Sequence, residues 1–218
     1  PEANTNNHSH LIKVITMSQQ YQLTVINDSS QSGNFAIYQE VPDINVPSVF
    51  TLAWLAQPAH PTTVLDFTWT LDYSFVWSKM TDLKPGSKVK TSQSWDANLT
   101  TENLVGFDYT DGAYTFTNQG QGAYADNLYI NQTQRVQSND SSVGIGMAGK
   151  GTFLVPSQPN MNLIMTPKPS YWVVFGNFQE GEVLDITEVS GQAFNVEYKG
   201  TTSHTVEYTA NNSWKLVD

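Results

Sequence analysis

Between Leu65 and Trp77 every odd position is large and apolar: Leu65, Phe67, Trp69, Leu71, Tyr73, Phe75 and Trp77. Asp66, Thr68, Thr70, Asp72 and Ser74 fill the even positions, and Val76 alone breaks the alternation. A helix would spread these rings around its circumference, whereas a strand gathers them on one face. Burial of each is worth about 1.5–3 kcal/mol, and a one-residue slip would turn all of them into water. The run therefore specifies a β register strongly. At ~3.3 Å per residue it outruns an ordinary strand, so a bulge or bend is predicted within it.

The same period continues elsewhere. Tyr21, Leu23 and Val25 alternate with polar residues, and Phe35–Tyr38 follow a turn-rich stretch. Val49 to Leu55 is apolar apart from Thr51, as expected where both faces are covered. Asp111-Gly112 predicts a hairpin joining Leu104–Tyr109 to Ala113–Thr117, and Asn211-Asn212 predicts one joining Thr205–Tyr208 to Trp214–Val217. Tyr171–Phe178 and Phe194–Tyr198 supply further strands. No segment carries a capped 3.6-residue apolar period, so helices should be short or absent. The expected architecture over residues 17–218 is a single antiparallel β-sandwich of about ten strands.

Composition narrows the function. Ten Lys+Arg against twenty Asp+Glu leave a formal charge of −10, which opposes binding to the phosphate backbone of nucleic acid and to anionic lipid. No apolar run approaches the ~18–20 residues of a membrane span, so a soluble protein is expected. Cysteine is absent, which removes disulfides, thiol catalysis and thiolate-bound zinc. Residues 1–16 read as a leader ahead of Met17-Ser18. Pro1–His10 lack the basic start and apolar core of a secretory signal, which leaves extracellular and cytoplasmic locations both open. Leu11, Ile12, Val14 and Ile15 form a β-prone run suited to adding as a strand to a neighbouring subunit.

Motifs for chemistry are weak. Gly144-Ile145-Gly146-Met147-Ala148-Gly149 is a formal GxGxxG, but Gly151 stands where a phosphate loop needs a hydroxyl, and strand-forming residues follow. A Gly-rich strand closely approached by another backbone is expected instead. His60, Asp66 and a serine could compose a triad on paper, without the strained elbow that supports one. Asp108 and Asp111 suit calcium only loosely. No metal and no cofactor are expected. Glu180 and Glu182 could share a strand face, as a glycosidase pair would, and Trp54 and Trp172 lie in runs apolar on both faces. These four are the candidate ligand-binding residues.

Several segments taken together resemble the bacterial RhiA-like proteins, named for a rhizosphere-expressed, quorum-sensing-regulated gene. They are Gly33–Gln39, Ser48–Trp54, Asp72–Ser78, Ser142–Met147, Gln158–Asn160, Tyr171–Gly176 and Glu180–Asp185. The likeness runs from about Tyr21 to Trp214. It implies a bacterial protein engaged with host or community, and it implies no catalytic or binding residue. From the residues, the expected function is a non-enzymatic binding or self-assembling protein with a protein partner or a second copy of itself. The alternative is a carbohydrate-binding or carbohydrate-active protein, with glycans as partners.

Overall fold

A computed structural model describes residues 18–218, and all statements about structure refer to these. Leu11, Ile12, Val14 and Ile15, the candidate subunit contacts, lie outside them. The first sheet has the order β18-β17-β1-β6, formed by β1 (Gln20–Asn27), β6 (Val64–Thr70), β17 (Ser203–Tyr208) and β18 (Trp214–Leu216). The second, β16-β15-β2-β5, takes β2 (Gly33–Gln39), β5 (Leu55–Ala59), β15 (Tyr171–Gly176) and β16 (Phe194–Val196). The third, β10-β9-β11-β14-β3, takes β3 (Asp43–Ile44), β9 (Leu104–Thr110), β10 (Ala113–Gly120), β11 (Leu128–Gln132) and β14 (Asn162–Thr166). The fourth, β4-β13-β12-β7-β8, takes β4 (Phe50–Thr51), β7 (Tyr73–Ser78), β8 (Gln93–Asp96), β12 (Ser142–Met147) and β13 (Lys150–Pro156). One four-residue helix, α1 (Ile186–Val189), completes the described elements.

The all-β class and the scarcity of helix are as the sequence reads. A single sandwich of about ten strands is not: eighteen strands lie in four sheets. Sheets one and two enclose Leu23, Val25, Phe35, Ile37, Phe67, Trp69, Tyr171 and Val173. Sheets three and four enclose a second core with Phe75, Phe107, Phe116, Ile130, Val143, Ile145 and Phe153. The strands are also not uniformly antiparallel, because β1 pairs with β17 and β9 with β11 in parallel. These are pairings between strands distant in the chain, which no local turn signal reports.

The long alternating run explains the arrangement. It breaks at Leu71-Asp72, so that Phe67 and Trp69 enter the first core while Phe75 enters the second. Tyr73 sits at the junction, packed against both. Val49–Leu55 behaves alike: β4 ends at Thr51 in the fourth sheet, β5 begins at Leu55 in the second, and Thr51 to Leu55 are all buried. Both runs are bridges between the sandwiches.

Two outer sheet faces are covered by one segment. Val183 packs with Leu52, Val76 and Leu154 outside the fourth sheet, and Leu184 packs with Ala36, Tyr38 and Val174 outside the second. Val76, the residue that broke the alternation, is buried there. Asp185 then caps α1, accepting from the N–H groups of Thr187 and Glu188. The Gly-rich strand β12 also behaves as its sequence suggests: a Cβ on Gly144 would stand 2.0 Å from the Phe153 carbonyl oxygen. Close backbone approach, not phosphate binding, accounts for its glycines.

Candidate functional site

A cleft of about 970 Å³ lies at the seam between the two sandwiches. Five connections wall it, because each leaves a strand at that seam. Thr70–Tyr73 link β6 to β7, and Asp96–Thr100 end β8 and leave it. Asp126 lies between β10 and β11, Ala148-Gly149 form the tip of the β12–β13 hairpin, and Thr166, Pro167 and Pro169 lead from β14 to β15. Backbone bonds brace the walls. The Ala97 N–H donates to the Tyr73 carbonyl at 2.9 Å, Ala148 N–H to Asp72 at 2.8 Å, and Asp126 N–H to Leu99 at 3.0 Å. The cleft is therefore preformed.

Its charge is one-sided. Asp72, Asp96 and Asp126 line it, all exposed, and no Lys or Arg does. Asp72 accepts the Thr70 hydroxyl at 2.5 Å. None of the three joins an ion pair among the described residues.

On the far side of the hairpin tip the sign reverses. A second recess, of about 320 Å³, is lined by Lys88, Lys90 and Lys150 with Thr91, Gly149 and Glu180. Gly149 lines both hollows, so the hairpin tip is the ridge between them. Its two turn residues, Ala148 and Gly149, have φ of 49° and 78°, the left-handed pair a two-residue hairpin requires. Lys150 is held by Glu180 at 2.6 Å, and Lys88 donates to the Gln179 side chain at 3.2 Å. Lys88 and Lys90 form no ion pair among the described residues.

Of the four residues expected to bind ligand, Trp54 and Glu180 line the basic recess together, whereas Glu182 and Trp172 each line a different hollow. Trp54 is fully buried, packed edge-on to Trp69, stacked with Tyr171, and donating its indole N–H to the Met147 carbonyl at 2.9 Å. It holds the two sandwiches together. Trp172 is partly exposed on the outer face of the second sheet, stacked on Tyr38, its indole N–H donated to Glu40 at 3.0 Å. Those three line a recess of about 220 Å³ with Val41 and Ile186. Burial, with the Glu40 carboxylate adding, pushes the Tyr38 phenol up to about 12. Glu180 lies on the basic recess, whereas Glu182 turns back to accept the Gln179 N–H at 2.8 Å.

Asp108 serves the scaffold, and the paper triad of His60 and Asp66 is not assembled. Asp108 is buried and accepts from both arms of the Arg135 guanidinium, from the Thr133 hydroxyl and from the Tyr109 N–H. The Arg135 bonds hold its carboxyl down to about 2, so it is a paired anion and not a calcium ligand shared with Asp111. His60 Nδ1 lies 2.8 Å from the Ser32 hydroxyl, but Asp66 is engaged by Thr24 and Gln22 and orients no imidazole. His204 bonds to Asp218 and to the Glu197 carbonyl. Among the described residues no group of three His, Asp or Glu could hold a metal ion. No helix there is long and apolar enough to cross a membrane.

No local sequence pattern groups the residues that wall the cleft. Its three carboxylates come from three separate connections, and only the bend expected inside 65–77 marked one of them.

Fold and surface define an all-β protein of paired sandwiches, with an acidic cleft and a basic recess on either side of one hairpin. It belongs to the RhiA family, whose model matches residues 18–218. It is 36% identical over 179 residues to Protein RhiA of Rhizobium leguminosarum bv. viciae, which spans 81% of this chain and 77% of that protein. No solved structure matches the chain.

Proposed function

We propose that this protein is a non-enzymatic binding or self-assembling bacterial protein acting in host or community interaction, with the seam cleft as its binding surface. One observation carries the reading. Three unpaired carboxylates face a preformed cleft of about 970 Å³, in which a cationic protein surface would find complementary charge. Surface carboxylates scattered singly would support no such preference. The test is titration of the full chain with a lysine-rich peptide by calorimetry, beside an Asp96→Asn/Asp126→Asn variant. Binding that weakens at least about tenfold in the variant supports the reading. Equal affinity of both proteins, or no binding by either, refutes the cleft as the surface.

A second reading, carbohydrate binding, is favoured by a separate place. Trp172 stacked on Tyr38 beside Glu40 offers an aromatic platform next to an acceptor, the pairing that suits a sugar ring and its hydroxyls. A glycan array repeated with Trp172→Ala distinguishes it: signal lost in the variant favours the sugar, and an empty array removes it.

A further inference from the structure

We propose that the basic recess beside the hairpin tip binds a phosphate dianion, either free or carried by a small monoester. This site is separate from the acidic cleft, and it stands or falls without it. Lys88, Lys90 and Lys150 line one hollow of about 320 Å³, together with Thr91, Leu52 and Val89. Among the described residues, Lys88 and Lys90 alone of the lysines and arginines have no carboxylate partner. Yet carboxylates outnumber cations twenty to ten in this chain. The two unpaired cations therefore share a single hollow, and a third cation faces it with them.

The recess is built in place. The Val89 N–H donates to the Gly181 carbonyl at 2.9 Å, and the Ser92 N–H to the Trp77 carbonyl at 2.8 Å. The Ser78 hydroxyl donates to the Lys90 carbonyl at 2.7 Å. Val89 packs into the cluster outside the fourth sheet and anchors the segment that carries both lysines. Another wall is the start of β13, where Lys150 stands between Gly149 and Gly151. A Cβ on Gly151 would lie 3.3 Å from Leu52 Cδ1 and 3.8 Å from Thr91 Oγ1, so glycine keeps that side open. Like charges gathered around one hollow repel each other, and an anion between them relieves the repulsion.

The cations present select the anion. Arginine offers a planar fork that matches a carboxylate, whereas lysine offers a compact point charge with three donors. Three lysines without an arginine suit a tetrahedral oxyanion with two negative charges. The chain's net charge of −10 repels a polyanion at long range, which restricts the occupant to a small one. The hollow is larger than one phosphate group, and Leu52 and Val89 leave room for a short organic body. This is no phosphate loop, because a strand and not a helix follows Lys150. Glu180 sets the affinity: its carboxylate lines the same hollow and holds Lys150 at 2.6 Å, so it competes with any incoming anion.

Amide nitrogen–proton spectra of the full chain, titrated with inorganic phosphate at low salt and about pH 8, test the site where phosphate is dianionic. Saturable shifts are expected at residues 88–91 and 149–151. Glycerol phosphate, run in parallel, separates the two sources. Tighter binding than inorganic phosphate assigns the site to a monoester, and equal or weaker binding assigns it to the free ion. Lys88→Gln/Lys90→Gln is expected to weaken phosphate binding at least about tenfold. Glu180→Gln frees Lys150 and removes a competing charge, so binding is expected to tighten at least about threefold. All three positions are exposed, and effects of opposite sign cannot both come from a damaged fold. The proposal is overturned by an absence of saturable shifts, or by shifts that acetate reproduces at matched ionic strength. It is equally overturned by a lysine double variant that binds as the wild type does, or by a Glu180→Gln affinity that is unchanged or lower.

Discussion

The indole N–H of Trp54 donates to the carbonyl of Met147 at 2.9 Å, and this bond ties the first sandwich to the end of a central strand in the second. Trp54 stands where the chain crosses from β4 to β5, and Met147 is the last residue before the hairpin ridge. The bond therefore sets where the ridge stands relative to the cleft.

Trp54→Phe keeps most of the packing and leaves that carbonyl without its donor. The expected cost is about 1–3 kcal/mol, read as a lower urea midpoint with an unchanged slope. A loss below about 0.5 kcal/mol would show that the bond does not join the sandwiches.

Gly144 and Gly120 make a matched pair. A Cβ at Gly144 meets the Phe153 carbonyl at 2.0 Å, inside a sheet buried on both faces, whereas nothing lies within 4 Å of one at Gly120. Gly144→Ala should destabilise by about 3 kcal/mol or more, because backbone must move. Gly120→Ala should stay within about 0.5 kcal/mol of wild type in the same denaturation series.

Ala148 holds φ at 49°, where an L side chain is strained by about 1–2 kcal/mol. Glycine relieves this at an entropic cost of about 0.5–1 kcal/mol. Ala148→Gly should therefore raise stability by about 0.5–1 kcal/mol, measured by thermal melting. A lowered melting temperature would mean that the Ala148 methyl packs more strongly than the turn strains it.

Acid should loosen the link between β9 and the residues that follow β11. The Asp108 carboxyl is held at about 2 in the folded protein against 3.8 ordinarily, chiefly by Arg135. A depressed carboxyl stabilises the fold above its ordinary value and loses that contribution as pH falls through the folded one. The wild type should thus lose stability from about pH 4 downward, with the loss complete near pH 2. Arg135→Gln should be less stable at neutral pH and show a shallower acid slope. Equal slopes in urea midpoints measured across that window would contradict the pairing.

Much of this fold is written in local pattern. The Asp111-Gly112 hairpin forms between β9 and β10 as its turn residues require, with φ of 51° and 80°. The division into two sandwiches is hidden by parity. From Trp69 to Tyr73 is an even step, so the alternation passes the break at Leu71-Asp72 without changing phase, and two short strands look like one long strand. Trp54 illustrates a related ambiguity: a run apolar on both faces suits either a ligand platform or a bridge through the core, and here it is the bridge. The acidic cleft left almost no signal, because Asp72, Asp96 and Asp126 are single carboxylates on separate connections. Only the pairing of distant strands brings those connections to one seam.

The most direct test of the account is a residue-resolved one. Amide nitrogen–proton spectra of the full chain would be recorded as protein concentration rises, and again with the lysine-rich peptide. The peptide is expected to shift residues 70–73, 96–100, 126 and 148–149, which wall the cleft, at every protein concentration. Shifts confined to surfaces away from the seam, or none under either condition, would contradict it.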